Sequence, residues 1–206
     1  MGHADSKRHW EDVYSKKAEN EVSWFQEEPA TSIEFIGHCG ASKDAAIIDI
    51  GGGESRLVDR LLDAKYSDVT VLDVSGHALE HTKARLGARA GAVQWIVADI
   101  TDWTPPRRYR LWHDRAVLHF LTGPEDRAAY VRALLAAVVP GGCVVISTFA
   151  LDGPEKCSGL PVVRYSAESL AAELGPELKL IETMNDDHKT PWGAVQRFQF
   201  SRFQRR

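Results

Sequence analysis

Short apolar segments alternate with amphipathic ones from residue 45 to residue 149, and this alternation constrains the fold more than any other feature. The apolar segments are hydrophobic at consecutive positions, as strands are when both faces of a parallel sheet are covered. The amphipathic segments between them fit helices that cover those faces. The pattern predicts an α/β fold with a doubly wound, mostly parallel sheet.

Seven strands follow from this pattern. The predicted strands are 45–50, 69–74, 93–97, a segment within 109–118, 143–149, 178–183 and 195–202. Because no helical segment separates the last two, we expect them to form an antiparallel hairpin at one edge of the sheet. We expect one domain over residues 1–206, with residues 1–40 as an N-terminal helical cap segment within it.

Capping residues predict where helices begin and end. Ser75 and Ser166 stand where a side chain can cap the following helix. Thr122-Gly123-Pro124-Glu125 is typical of a capping box, and the helix that it opens should run to about Val139. Pro140-Gly141-Gly142 should end that helix before the fifth strand begins.

The composition excludes several classes of protein. Hydrophobic residues make up 44% of the chain and charged residues 26%, as in ordinary globular proteins. A formal charge of −4 argues against a nucleic-acid partner, which usually meets a basic surface. No apolar run reaches the roughly 18 residues of a membrane span, so we expect no membrane association.

The chain has three cysteines, an odd number without C-x-x-C spacing. This predicts neither a disulfide framework nor a zinc site, and a reducing cytoplasm is the expected location. The polar N-terminus lacks the apolar core of a signal peptide. Met1-Gly2 with Ser6 fits the loose template for N-myristoylation, which we do not expect to be used.

A glycine-rich turn, Asp-Ile-Gly-Gly-Gly-Glu-Ser over residues 49–55, joins the first strand to its helix. In doubly wound sheets, ligands bind beside the carboxyl end of the first strand. Glycines there permit a close approach, and the N–H groups favour a carboxylate or a phosphate. The dinucleotide fingerprint G-x-G-x-x-G is incomplete, because Arg56 replaces its third glycine. A tight turn without a ligand is the alternative.

Acidic residues follow the second and third strands. Asp73 comes 20 residues after Gly53, where a carboxylate can accept hydrogen bonds from both hydroxyls of a ribose. Asp99 follows the third strand, and with Asp49 these acids should face one crevice. Asp73 in this position predicts an adenosine-containing ligand, with a capping or surface acid as the alternative.

The motifs together resemble those of class I S-adenosylmethionine-dependent methyltransferases. The glycine-rich turn is similar to the family's D-x-G-x-G, Pro140-Gly141-Gly142 to its P-G-G turn, and Trp10, Tyr14 and Val22-Ser23-Trp24 to the W-x-x-x-Y and V-S-W of its small members. Many members have a further glycine where this chain has Ser55. The resemblance implies strand order 3-2-1-4-5-7-6.

The resemblance also implies a cofactor and its site. The cofactor would be S-adenosyl-L-methionine, and the product S-adenosyl-L-homocysteine. The glycine turn would hold the methionine part, Asp73 the ribose and Asp99 the adenine amino group, while Ile100 packs on the ring and Trp24 closes over the cofactor. Simple core packing is the alternative for Trp24. The implied cofactor-binding residues are Trp24, Asp49, Gly51, Gly52, Gly53, Ser55, Asp73, Val74, Asp99 and Ile100.

The acceptor site is less determined by the sequence. Methyl transfer needs alignment more than a fixed catalytic motif. Asp114 and His119 in or after the fourth strand are candidate catalytic residues, with a satisfied structural pair, such as Asp114 with Arg115 or another donor, as the alternative. His188 lies in the predicted turn 185–192 of the last hairpin, which should hang over the crevice; an ordinary exposed turn is the alternative. No metal ligands are expected.

The acceptor itself stays open between a small molecule and a lysine of a protein, as does the oligomeric state. A nucleic-acid acceptor is not expected, since the N-P-P-Y type signature is absent. Two other functions compete with methyl transfer: a nicotinamide-dependent oxidoreductase, against which Arg56 and Asp99 argue, and a non-catalytic cofactor-binding module.

Overall fold

The computed structural model describes the backbone of residues 3–206 and the side chains from residue 5 onward. Met1 and Gly2, on which the acylation pattern depends, lie outside the described residues. The helices are α1 His3–Lys16, α2 Ala30–His38, α3 Leu57–Asp63, α4 Gly76–Leu86, α5 Pro124–Ala137 and α6 Ala167–Leu174. The strands are β1 Ile47–Ile50, β2 Val69–Asp73, β3 Val93–Val97, β4 Tyr109–Arg115, β5 Val138–Phe149, β6 Lys156–Cys157, β7 Leu160–Pro161, β8 Leu178–Lys189 and β9 Val195–Arg205.

Seven of the strands form one sheet in the order β3-β2-β1-β4-β5-β9-β8. The strands β1 to β5 are parallel, and β9 is antiparallel to both β5 and β8. This confirms the predicted seven-stranded, doubly wound sheet with a C-terminal antiparallel hairpin. The sequence missed β6 and β7, which pair as a separate two-stranded hairpin after β5.

Buried apolar side chains form a core on each face of the sheet. Residues that alternate along β1 divide between the faces: Ile47 packs with Leu61 and Phe35, whereas Ile48 packs with Trp112. Both faces of the central strands are therefore dry, which is why their sequences are hydrophobic at successive positions. The polar ends of these strands are left at the carboxyl edge of the sheet.

Two predicted helix boundaries were wrong. Gly123, not Thr122, occupies the N-cap of α5, and no side chain caps that end; Pro124 in the first turn lacks the N–H that would need a cap. The helix ends at Ala137, and Pro140-Gly141-Gly142 lies inside β5, where the pairing with β4 is irregular. The Ser75 and Ser166 caps are both present.

The C-terminal hairpin is longer than its hydrophobic pattern predicts. The strand β8 continues to Lys189, so residues 185–189 are paired with β9 rather than forming a turn. His188 consequently lies within a strand, opposite Gln196. Polar residues here still pair because the main-chain ladder with β9 does not depend on side-chain hydrophobicity.

The expectation about cysteines was also wrong. Cys39, next to the end of α2, and Cys143 in β5 form a disulfide with a Cα–Cα distance of 5.8 Å. The third thiol, Cys157, is free and buried. A separation of 104 residues gives no sequence signal for such a pair, because only the packing of α2 on β5 brings the two residues together. Among residues 3–206, no helix is long and apolar enough to cross a membrane.

Candidate active site

The glycine-rich turn needs glycine for two geometric reasons. Gly51 and Gly53 have φ angles of +64° and +40°, in the region that residues with a side chain rarely adopt. A Cβ on Gly51 would overlap the side chain of Val117, and one on Gly53 would come within 3.0 Å of both Asp73 and the Tyr14 hydroxyl. The turn therefore allows the segments after β2 and β4 to approach β1 closely.

The amide groups of this turn are used inside the protein. The N–H groups of Gly51 and Gly52 both donate to the carbonyl of Leu72, at 2.7 and 3.2 Å. The backbone of Gly53 bonds to the carboxylate of Asp73. These bonds fasten the turn to β2, so the N–H groups of Gly51 and Gly52 are already engaged, and the expected contact of the turn with an anion stays a prediction.

Asp73 stands at the end of β2, buried and facing the glycine turn. Its Oδ1 accepts a hydrogen bond from the Ser75 amide at 2.8 Å. Burial raises its pKa to about 7, against the lowering effect of the bonds from Ser75 and Gly53; nearby Asp49 adds to the rise. In its ionised form, a carboxylate buried in this way can accept hydrogen bonds from a polar ligand.

Asp99 and Ile100 follow β3 on the same edge of the sheet. Asp99 Oδ1 accepts bonds from the amide and the hydroxyl of Thr101, at 3.0 and 2.6 Å, which fix its direction. Both Asp99 and Ile100 line the main cavity, as Asp73 and Val74 do. The structure thus brings together the predicted residues that follow β2 and β3.

Asp49 is held by a hydrogen-bonded chain that the sequence did not reveal. Its Oδ1 bonds to Nδ1 of His113 at 2.7 Å, and Nε2 of His113 bonds to Ser32 Oγ at 2.9 Å. All three residues are buried, with Ser32 only 1% exposed. A nucleophilic serine must meet a substrate, so this chain fixes α2 on the sheet rather than supplying a nucleophile.

The N-terminal helix α1 lies over the glycine turn. Trp10 and Tyr14 of α1 pack against Trp24, with ring centroids 5.7 and 6.3 Å apart. Tyr14 is buried and its hydroxyl reaches Gly53, and burial raises its pKa well above the usual value. The W-x-x-x-Y and V-S-W motifs therefore form one aromatic cluster that covers the crevice.

A carboxylate fastens α1 to the rest of the domain. Glu11 accepts hydrogen bonds from the hydroxyl of Ser75 at 2.8 Å, from the amide of Gly76 at 2.9 Å and from the amide of His77 at 3.2 Å. These groups form the N-terminus of α4, where the helix dipole favours a negative charge. Although burial acts in the opposite direction, the bonds from His77, Ser75 and Gly76 lower the pKa of Glu11 to about 2.

Two connected cavities lie under this cover. The main cavity, about 190 Å³, extends from the ends of β2 and β3 to the β6–β7 hairpin. A smaller one, about 50 Å³, lies against the glycine turn and includes Asp49, Gly51, Gly52 and Ser55. Tyr14, Trp24, Ile50, Gly51 and Arg115 line both. The far end of the main cavity is lined by Trp10, Phe120, Cys157, Leu160, Pro161 and Phe198.

Asp114 is fully buried and its carboxylate is engaged. It accepts bonds from the amides of Val117 and Leu118, at 2.7 and 3.1 Å, and from the hydroxyl of Tyr130 at 2.6 Å. Burial raises its pKa to about 6. Asp114 holds the turn after β4 and does not line either cavity, which disfavours the predicted contact with an acceptor. The structural alternative is formed with another donor, since Tyr130 rather than Arg115 is the side-chain partner of Asp114.

His119 is enclosed in the core. Its ring packs between Phe120 and Phe149, and its Nδ1 accepts the Phe149 amide at 3.4 Å. Burial, with a contribution from the charge of Arg115, lowers its pKa to about 3, so the ring is neutral at physiological pH. Its enclosed position disfavours direct contact with an acceptor.

His188 is buried in β8 rather than exposed in a turn. Its Nε2 donates to the carbonyl of Ser23 at 2.7 Å, which holds the segment that carries Trp24. Burial and the nearby Arg115 lower its pKa. The hairpin end does lie on the ligand side of the sheet, as expected, but His188 supports the aromatic cover there and its Nε2 is engaged.

Arg115, which sequence reasoning mentioned only as a structural partner, lies where the two cavities meet. Its Nη1 donates to the carbonyl of Trp24 at 3.0 Å, and its guanidinium lies 4.7 Å from the centre of the Phe198 ring. Ala116 after it has a φ of +75°, a strained backbone of the kind that clusters at functional sites. The available signal was an arginine that directly follows the buried part of β4, residues 111–114.

The described residues contain no group of three or more His, Cys, Asp or Glu side chains placed to hold a metal ion. The site therefore has three parts. They are the glycine turn with the acidic residues Asp73 and Asp99, the aromatic cluster that covers the crevice, and the apolar end of the main cavity beside Arg115.

A family profile described as "Methyltransferase domain" matches residues 47–142. In overall fold, the chain is similar to the N-methyltransferase NodS from Bradyrhizobium japonicum WM9, whose structure is in complex with S-adenosyl-l-homocysteine; the TM-score is 0.71 at 16% identity, over 95% of this chain and 97% of that one. The matched range contains the glycine turn, Asp73 and Asp99. Residues 47–142 thus match a methyltransferase domain, and the fold of the whole chain is that of S-adenosylmethionine-dependent methyltransferases.

Two curated relatives match parts of the chain. One is a trans-aconitate 2-methyltransferase from Methylobacterium radiotolerans, 35% identical over 101 residues, which are 48% of this chain and 36% of that protein. The other is an eEF1A lysine and N-terminal methyltransferase from Mus musculus, 23% identical over 129 residues, 61% of this chain and 18% of that protein. The chain therefore spans about a fifth to a third of the length of these relatives.

Proposed function

We propose that this protein transfers a methyl group from S-adenosylmethionine to a small-molecule acceptor bound at the apolar end of the main cavity. The observation that carries the proposal is the continuity of the cavity from Asp73 and Asp99 to the β6–β7 hairpin. A cofactor at one end and an acceptor at the other would share one enclosed space. Enclosure by α1 and the hairpin favours a small acceptor over a lysine on a folded protein surface.

The described residues fit the proposed cofactor. Gly51 and Gly52 of the turn line the smaller cavity, and Asp73 presents a buried carboxylate to hydroxyl donors. Asp99 follows β3, which is separated by β2 from the strand β1 that ends in the glycine turn. This is the position expected for a residue that binds the adenine amino group. Trp24 and Tyr14 would close over the sulfur end. These assignments, with those of Asp49, Gly52, Ser55, Val74 and Ile100, are part of the proposal.

When bound, S-adenosylmethionine supplies an electrophilic methyl group on a sulfonium. The protein's residues would align the acceptor with that group and exclude water, which is the main requirement of a direct displacement. The cluster of Trp10, Tyr14 and Trp24 supplies the exclusion. Asp114, His119 and His188 would act indirectly, by holding the turn after β4 and the segment that carries Trp24.

Labelled cofactor tests the proposal. The protein is incubated with [methyl-³H]S-adenosylmethionine and a cell extract divided into fractions below and above about 3 kDa. We expect label in the small-molecule fraction, and calorimetric binding of S-adenosylhomocysteine without comparable binding of NAD(H). Label confined to lysines of proteins would mean that the acceptor is a protein rather than a small molecule. Binding of NAD(H) without binding of S-adenosylhomocysteine would mean that the protein is not a methyltransferase.

The trans-aconitate relative and the eEF1A lysine relative support opposite acceptor classes, and the enclosed cavity favours the former. A cytoplasmic location and the absence of a nucleic-acid partner stay predictions. The Cys39–Cys143 disulfide is not typical of a reducing compartment. Cell fractionation tests the location directly.

A further inference from the structure

Arg115 carries hydrogen-bonding capacity that the protein does not use. Among the described residues, neither its Nε nor its Nη2 has a hydrogen-bond partner, although both atoms are buried. Only Nη1 is engaged, by the carbonyl of Trp24. Buried donors without partners are costly, so an unpaired guanidinium edge beside a cavity indicates a missing acceptor.

The charge of Arg115 is incompletely balanced. Burial lowers its pKa to about 10, so the side chain still carries its charge at neutral pH. Asp186 and Asp49 oppose that effect through space. However, Asp49 is bonded to His113, and Oδ1 of Asp186 accepts from Thr31, while Oδ2 of Asp186 is buried and has no hydrogen-bond partner among the described residues. Neither carboxylate meets the free edge, which is formed by the two nitrogens that match a carboxylate in bidentate geometry.

The surroundings distinguish the two ends of the cavity. The guanidinium of Arg115 lies against the ring of Phe198 in β9, and Phe198 lines the apolar end of the main cavity together with Cys157. Asp73 and Asp99 lie at the ends of β2 and β3, on the other side of β1 in the sheet. The free edge is thus nearer the proposed acceptor than the proposed adenosine position.

We propose that Arg115 binds a carboxylate of the acceptor, so that the substrates of this site are acids with an apolar or aromatic body. This inference rests on the proposed function. The carboxylate pairs with Nε and Nη2, and the body packs against Trp10, Phe120, Leu160 and Phe198. Arg115 is then a specificity-determining residue. The same chemistry could come from the methionine carboxylate of the cofactor, because Arg115 also lines the cavity at the glycine turn.

The test uses the full chain loaded with S-adenosylhomocysteine. Benzoate, phenylacetate, 3-phenylpropionate, indole-3-acetate and hexanoate are compared with their amides by saturation-transfer NMR and calorimetry. We expect at least one acid to bind tenfold or more tightly than its amide. Arg115→Met should abolish that preference and Arg115→Lys should reduce it, since lysine keeps the charge but loses the planar fork. Arg110→Met, at the exposed start of β4, should leave it unchanged.

A second measurement separates the two carboxylates. The affinity of each variant is determined for S-adenosylhomocysteine and for methylthioadenosine, which lacks the amino-acid part. If Arg115→Met weakens only S-adenosylhomocysteine tenfold, Arg115 holds the cofactor and the acceptor proposal is overturned. Equal binding of acids and amides, or no acid binding at all, also overturns it. Failure of the wild-type protein to bind S-adenosylhomocysteine would instead count against the proposed function.

Discussion

Replacing Asp73 by asparagine should make the free protein more stable and its cofactor binding weaker. Burial raises the pKa of Asp73 from 3.8 to about 7. A rise of about 3 units corresponds to about 4 kcal/mol, at roughly 1.4 kcal/mol per unit. The protein loses this free energy of unfolding as pH rises, because the unfolded carboxyl ionises near 3.8 and the folded one only near 7.

Asp73→Asn removes this penalty but keeps an oxygen that can accept from the Ser75 amide. We therefore expect a gain of roughly 2–4 kcal/mol above pH 7, after subtracting about 1 kcal/mol for the weakened bond from Gly53. The gain should vanish below about pH 3, where the wild-type carboxyl is protonated in both the folded and the unfolded state. Urea unfolding followed by tryptophan fluorescence at several pH values measures it, with the exposed Asp44→Asn as control.

Cofactor affinity should change in the opposite direction. Ribose hydroxyls would donate to the ionised carboxylate, and losing its charge weakens bonds worth roughly 1.5–3 kcal/mol each. We expect the dissociation constant of S-adenosylhomocysteine to rise at least tenfold at pH 8. In the wild type, affinity should also increase as pH rises towards 7, a dependence that the variant lacks. If Asp73→Asn has the same free energy of unfolding and the same affinity for S-adenosylhomocysteine as the wild type at pH 8, the reasoning is refuted.

Three further predictions concern the cover, the turn and the disulfide. Glu11→Gln should cost about 1 kcal/mol of stability by weakening the attachment of α1 to α4, and should speed cofactor release in stopped flow. Because the pKa of Glu11 is lowered to about 2, the difference in stability should disappear as pH falls from about 4.5 towards 2. A difference in stability that is retained at pH 2 would contradict this prediction. Gly51→Ala should raise the cofactor dissociation constant at least tenfold in calorimetry, since its Cβ would overlap Val117; wild-type affinity would contradict this. Cys143→Ala should lose about 4–5 kcal/mol in urea unfolding and no longer respond to dithiothreitol, because the Cys39–Cys143 disulfide closes a loop of about 100 residues; a dithiothreitol-insensitive wild type would contradict this.

The sequence by itself determined the sheet and one end of the site. The strands can be recognised in the sequence because a strand that is buried on both faces must be hydrophobic at consecutive positions. The glycine turn, Asp73 and Asp99 lie at or just after the ends of the first three strands. Parallel strands bring their carboxyl ends to the same edge of the sheet. Those placements needed only the order of the elements, and the structure has them at that edge.

Only the tertiary structure decided which polar groups are free. Asp114 and His188 looked available in the sequence, yet Tyr130 and Ser23, from distant segments, occupy them. Arg115 looked like an ordinary strand residue, yet packing leaves two of its nitrogens without a partner. Hydrogen-bond partners and disulfides depend on contacts between segments far apart in the chain, and those contacts are set by how whole elements pack rather than by local pattern.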